Sequence, residues 1–207
     1  MNQQTITHVI AGQPVTVHCI AGQGALAADV FETLAKLSQT EPLRAGLKIR
    51  FGWSSLTLCE GVQAGLTVCE PDFDGNPFEQ NRPSLGVTLG VLAEQAAILK
   101  RVSVDPVEVT FDQFIVLRKE ALSSTTIVLS RGPSTSADDS GWSIDCPDQP
   151  SGPEREEDYE AKRVYELLKT RPAILPVLIL PVGYLVEFQG NLITEVLDET
   201  GQDRLIG

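Results

Sequence analysis

The sequence has no Cys-x-x-Cys or Cys-x-His pair and only two histidines in 207 residues, so a structural zinc site lacks ligands at workable spacing. Its four cysteines, Cys19, Cys59, Cys69 and Cys146, read as buried, reduced thiols. Cys59 and Cys69 face each other across a hairpin only if the loop is Gln63-Ala64-Gly65; a four-residue loop puts them out of register. No uncharged apolar run reaches the ~18–20 residues that cross a bilayer. The start, MNQQTITHVI, lacks a basic block followed by an apolar one, so it is not a signal peptide. The expectation is a soluble, cytoplasmic protein with no membrane contact. Gly-x-Ser-x-Gly, Gly-x-Gly-x-x-Gly and Walker loops are all missing. Cys19 follows His18, but neighbours on a strand point to opposite faces and cannot form a dyad. No cofactor is expected.

What the chain does have is apolar content, at 42%, and acid, at a net charge of −12. The acid is unevenly placed. Residues 1–105 carry −3, whereas residues 106–207 hold 18 Asp/Glu against 9 Lys/Arg, or −9. Such a surface repels phosphate backbones, which argues against direct nucleic-acid binding, and attracts a basic partner.

Periodicity predicts an α+β protein of two small α+β domains, 1–105 and 106–207, each a mostly antiparallel sheet with one or two packed helices. TITHVI and VTVHCI make a hairpin with a Gly12-Gln13 turn, which places Ile6, His8, Ile10, Val15, Val17 and Cys19 on one face. Helices follow over 25–39 (Leu26, Val30, Phe31, Leu34, Leu37 inward) and 84–101 (Leu85, Leu89, Leu92, Ala96, Leu99 inward, Ser84 as N-cap). Between them lie β-rich runs at 47–60 and 65–70 and a Pro-rich loop at 71–83. In the second half QFIVLR, TIVLSR and SGWSID read as strands. A helix is predicted over 156–169 with Ala161, Val164, Tyr165 and Leu168 inward and its acids at the N-terminus. GYLVEFQ-GN-LITEVLD closes the chain as a hairpin.

Two stretches carry possible chemistry. LTVCEPDFDGNPF (66–78) resembles the haloacid-dehalogenase-like phosphatases, which implies Asp72 as nucleophile and Asp74 as acid/base beside Mg²⁺. The pattern departs at Glu70-Pro71 and Asn76, and Asp138-Asp139 lacks the spacing of that family's second metal pair. As an EF-hand the stretch fails, with Pro77 and Pro83 where Gly and Glu belong. The competing reading makes Asp72, Asp74, Gly75 and Asn76 turn formers. In SADDSGWSID (136–145), Trp142 is read as a core anchor. Beside it, Asp138, Asp139, Asp145, Asp148, Glu154, Glu156, Glu157, Asp158 and Glu160 form an acidic rim. That rim is either a solvated face or a docking surface for a basic protein.

The second half also resembles a domain family of bacterial immunity proteins, the antidotes carried beside polymorphic and type VI secreted toxins. The resemblance covers about residues 112–200. It rests on Asp139-Ser140-Gly141-Trp142, the segment with Tyr165 and Leu168, Leu180-Pro181-Val182-Gly183, and a last hairpin with Phe188 and Val196. RFGWSSLTL and VCEPDF look like a segment found ahead of such domains. It implies a non-enzymatic inhibitor of one cognate toxin, with Trp142 and Gly183 as structural anchors and no catalytic residue. The excess acid suggests that this toxin is basic, with a nuclease as the candidate.

Overall fold

Strands β1 (Gln3–Ile10) and β2 (Gln13–Ile20) pair antiparallel with Ile10 opposite Gln13. The turn is therefore Ala11-Gly12, one residue earlier than the sequence suggests. Its φ angles of 50° and 80° give the left-handed pair that a two-residue hairpin turn needs. The correction shifts each partner by two residues, so side chains keep their faces. Val15, Val17 and Cys19 are buried, His8 stacks on Phe31 at 4.2 Å, and His18 on the other face bonds Thr5. The computed structural model describes residues 2–147 and 155–205. It divides into two compact units, 1–93 and 94–207.

In the first unit β3 (Lys48–Phe51), β4 (Ser54–Glu60), β5 (Leu66–Pro71) and β6 (Asn81–Arg82) join the hairpin. The sheet order is β1-β2-β5-β4-β3, with β6 beside β5; only β2 and β5 run parallel. Helix α1 (Gly24–Leu37) buries Ala27, Val30, Phe31 and Leu34 in one cluster with Val15, Val17, Leu56, Leu58 and Val68. Cys59 pairs with Thr67 and Thr57 with Cys69, so the two cysteines are diagonal rather than opposite, and both are free thiols. Burial pushes the Cys69 thiol upward, helped by Cys59.

Glu70 extends the inward set of β5 by one step and is fully buried. Its carboxylate accepts the Val87 and Thr88 N–H groups that open α2 (Gly86–Val102), at 3.3 and 2.7 Å, and the Arg82 Nε–H at 3.1 Å. A carboxylate there satisfies otherwise orphaned donors and complements the helix dipole. Ser84, the expected cap, takes the Gly86 N–H. Burial raises the Glu70 carboxyl above its ordinary range, while the Thr88, Arg82 and Val87 contacts pull it back. The folded state therefore holds this proton more tightly than the unfolded one. The associated stability is full below the ordinary carboxyl value and is lost as pH rises through the raised one. Urea midpoints read from Trp53 in a Trp142→Phe background should fall across that window, and Glu70→Gln should flatten the fall. Glu70→Ala, which orphans three donors, should cost about 2–3 kcal/mol at neutral pH. Trp53 is a local reporter because its Nε1–H bonds the Thr88 carbonyl.

From Leu85, just before α2, and along the helix the buried positions change from Leu85, Thr88 and Leu89 to Val91, Gln95, Ile98 and Val102. Ala96, expected inward, is exposed. A polar residue in the second stripe hid it: Gln95 is buried and bonds the Leu175 carbonyl.

The second unit contains β7 (Phe114–Arg118), β8 (Thr126–Arg131), β9 (Asp139–Asp145), β10 (Tyr159–Arg163), β11 (Leu185–Gln189) and β12 (Leu192–Leu197), in the order β10-β7-β9-β8-β11-β12. Only β7 and β9 run parallel. The two mixed sheets with their helices bear out the α+β class. The helix expected over 156–169 does not form. Residues Tyr159–Arg163 instead pair with β7 as an edge strand, flanked by 3₁₀ turns at Glu156–Asp158 and Val164–Glu166 and by the short helix α3 (Leu167–Thr170). An open ladder on β7 outweighs local helical spacing. One face of the sheet buries Ile115, Leu117, Ile127, Leu129, Trp142, Ile144, Val186, Phe188 and Val196. The buried 3₁₀ segment Pro172–Ile179 packs there, with its Leu178 carbonyl bonded to the Trp142 Nε1–H.

Candidate partner-binding site

Strand β9 is the sequence DSGWSID, and each residue of its first half has a structural task. The Asp139 carboxylate accepts the Thr135 N–H, the Thr135 hydroxyl and the Gly141 N–H at 2.8–2.9 Å. Those backbone donors, Thr135 foremost, hold its carboxyl below the ordinary range. Gly141 has φ +75°, and a Cβ there would run into the Gly132 carbonyl, whose residue pairs with it. Ser140 is buried, and its hydroxyl accepts the Trp142 N–H. Trp142 is 1% exposed. Gly183, at φ +91°, donates its N–H to the Arg131 carbonyl, and a Cβ there would press on the Glu199 side chain.

The remaining acids do not form one rim. β9 is seven residues long, so Asp138 and Asp139 stand about 20 Å from Asp145. At the far end, Asp145 accepts the Tyr159 hydroxyl at 2.9 Å and faces Arg118 at 3.6 Å. Asp158 caps the Arg155 N–H, Glu157 pairs with Arg155, and Glu160 pairs with Lys162. Asp138 and Glu156 are exposed and form no ion pair among the described residues. Asp148 and Glu154 lie outside the described residues.

Two cations of this half are absent from the surface. Arg131 is 5% exposed and Arg171 4%. Arg131 Nη1 donates to the Val107, Leu178 and Leu180 carbonyls, and the guanidinium lies over the Trp142 ring at 5.7 Å. Burial pushes it down to about 10, so it stays charged at neutral pH. Arg171 donates to the Ala121, Ser124 and Gly190 carbonyls. Neither has a carboxylate partner among the described residues. None of the described carboxylates of residues 106–207 is buried. With two of the 9 Lys/Arg internal, the surface of that half is more acidic than its formal −9.

The phosphatase-like stretch has no comparable arrangement. Asp72 Oδ1 accepts the Asp74 N–H in a tight turn, and Asp74 pairs with Arg82 at 2.8 Å. Among the described residues no group of three or more His, Cys, Asp or Glu is placed to hold a metal. The turn-former reading accounts for both aspartates, and nothing supports a phosphohydrolase.

Residues 94–199 match the family model of the Imm33-like domain, an immunity-protein-like family. The match spans half the chain, and the protein belongs to that family. No curated protein and no solved structure gives a significant match. Among the described residues no helix is long and apolar enough to cross a membrane.

Proposed function

We propose that this protein is a non-enzymatic antidote that binds one cognate antibacterial toxin in the cytoplasm of the producing cell. The toxin is a type VI secreted effector, and the antidote lays the acidic surface of its second unit over the toxin's active site. The observation that carries this reading is the Imm33-like domain over residues 94–199. The charge of that half supports it, because a surface freed of two of its cations attracts a basic protein and speeds the encounter. A nuclease with a cationic groove for phosphates fits such a surface. Asp138 and Glu156 supply free charge at the edges of the contact. Asp139, Asp145, Glu157, Asp158 and Glu160 add field while already bonded within the chain; Asp148 and Glu154 complete the acidic set.

The test is to purify the tagged chain from its host, identify any stoichiometric partner, and express that partner alone in a sensitive cell. Growth arrest that co-expression of this chain relieves is the expected result. A captured partner that is harmless on its own would refute the antidote reading. Reversing Asp138 and Glu156 to lysine should slow association roughly tenfold at low salt, with little effect at high salt. Stopped-flow rates that do not move would remove those two carboxylates from the contact.

A further inference from the structure

The face of the second sheet opposite Trp142 is open. Ser130 and Ala161 are exposed, Val116 is 42% exposed, and Val128, Ser143 and Leu185 are half-buried. Strand register lines these side chains up in rows across the sheet. One row runs Leu185, Ser130, Ser143, Val116, Ala161, a strip of small and apolar side chains. The adjacent row runs Glu195, Glu187, Val128, Asp145 over about 14 Å, three strand spacings. All three acids are adjacent in sequence to inward, buried residues, Val196, Val186 and Phe188, and Ile144, which fixes them on the open face.

Glu187 and Glu195 stand directly opposite each other, an arrangement that costs stability when no cation intervenes. Neither forms an ion pair among the described residues. The strand pair is also bulged at this point: Glu187 faces Glu195, but Phe188 faces Ile193, so Thr194 is the extra residue. The Thr194 hydroxyl donates to Glu187 Oε1 at 3.0 Å and to the Glu187 carbonyl at 3.2 Å. A bulge re-aims side chains, and here it fixes one carboxylate beside another. A strip of small and apolar side chains bordered by Glu187 and Glu195, neither of them ion-paired among the described residues, has the make-up of an interface centre and its rim.

We propose that this open sheet face is where the toxin seats, and that the toxin presents a lysine- or arginine-bearing segment whose cations fall on Glu187 and Glu195, with Asp145, already facing Arg118, at the end of the row. This rests on the antidote reading for the identity of the occupant, while charge complementarity fixes the occupant's chemistry. The apolar members of the strip, Leu185, Val116 and Ala161, exclude water from the contact, and the Ser130 and Ser143 hydroxyls bond each other, which strengthens each ion pair made at its border.

Two probes separate the surface from the occupant. The first is oligolysine, titrated into the full chain with isotope-labelled amides read by NMR and oligoglutamate as control. Salt-sensitive shifts at Val128, Glu187, Thr194 and Glu195, abolished by Glu187→Lys with Glu195→Lys, are expected. That double variant keeps two like charges opposite each other and loses the Thr194 hydroxyl bond to Glu187 Oε1, while the bond to the Glu187 carbonyl remains available. Shifts centred on Asp138 and Glu156, spread over the whole chain, or undetectable would overturn the surface. The second probe is the partner captured in the experiment above. The double variant should bind it roughly 30-fold more weakly, and Val116→Arg, within the apolar strip, should weaken it as well. Unchanged affinity for a captured, neutralised toxin would sink this face and leave the antidote reading standing. Oligolysine binding here without any toxin captured would do the reverse.

Discussion

Arg131→Met should destabilise the second unit by about 3 kcal/mol. Arg131 Nη1 serves the carbonyls of Val107, Leu178 and Leu180. Leu178 keeps the Trp142 Nε1–H, so methionine leaves two acceptors fully orphaned and one half-served. A buried acceptor without a partner costs about 1–3 kcal/mol. Against that stands some relief, because burial has pushed the guanidinium down to about 10 and the neutral side chain escapes the same desolvation. Relief is smaller than loss here, since replacing a buried charge is neutral only when its partners are replaced too, and carbonyls stay. Arg131→Lys should not restore the parent. The lysine ammonium has donors enough for the carbonyls that Nη1 serves, but it is more strongly hydrated than a guanidinium and so costs more to bury, and it gives up the planar group over the Trp142 ring. The measurement is a urea midpoint followed by Trp142 fluorescence in a Trp53→Phe background. A loss below about 1 kcal/mol, no more than one net hydrogen bond, would mean that the three carbonyls find other donors.

This buried arginine also shows what could be read from the sequence. In TIVLSR the inward set is Ile127 and Leu129, and period two carries it one step further to Arg131. In LTVCE the same step carries Leu66 and Val68 on to Glu70. Both charged residues were legible as inward positions, but their charge argued against burial until their partners were known. Those partners, carbonyls some 50 residues away and a helix N-terminus, depend on tertiary structure. The hairpin faces, α1, and strands β7, β8, β9, β11 and β12 followed from spacing because one buried face enforces the period. β10 did not, since an edge strand has no strict alternation to display. The acidic rim failed for a related reason. Asp138 and Asp145 are near in sequence, yet an extended strand carries them to opposite ends of the sheet. Glu187 and Glu195 are brought together by a register that a bulge sets, which no local pattern announces.

The division of labour among the charges follows from those placements. Asp139 and Glu70 spend their charge on backbone N–H groups, and Arg131 and Arg171 on backbone carbonyls. These four hold segments in place and leave no hydrogen-bonding capacity of that kind for direct contact, although Asp139 still adds to the field of its half. The charges left for the proposed recognition are solvent-accessible carboxylates of the second unit, chiefly those whose neighbours are apolar or like-charged. An interface there draws on the field of the whole half for its association rate, and on the sheet face for the duration of the complex.

Trp142→Ala should be the most damaging single change, at about 4–5 kcal/mol. Truncating a buried tryptophan typically costs about 3–5 kcal/mol in lost transfer and cavity terms. Here two further losses accompany it: the Leu178 carbonyl loses its indole donor, and the Arg131 guanidinium loses the ring it lies over. The backbone cannot close the gap, because Gly141 is held at φ +75° against Gly132 and the β9 ladder is fixed on both sides. Trp142→Phe keeps most of the volume and the aromatic face but not the N–H, so it should cost only about 1–2 kcal/mol. The difference between the two variants isolates packing from the hydrogen bond. Amide exchange at Leu129 and Ile144, whose strands pair at that position, is the readout, since neither variant can report its own fluorescence. The phenylalanine variant should still bind the partner with near-parent affinity, because residue 142 faces away from the open side of the sheet. The alanine variant should lose binding in step with exchange protection. If it bound normally while Leu129 and Ile144 exchanged freely, β9 would not be what holds the docking face in shape.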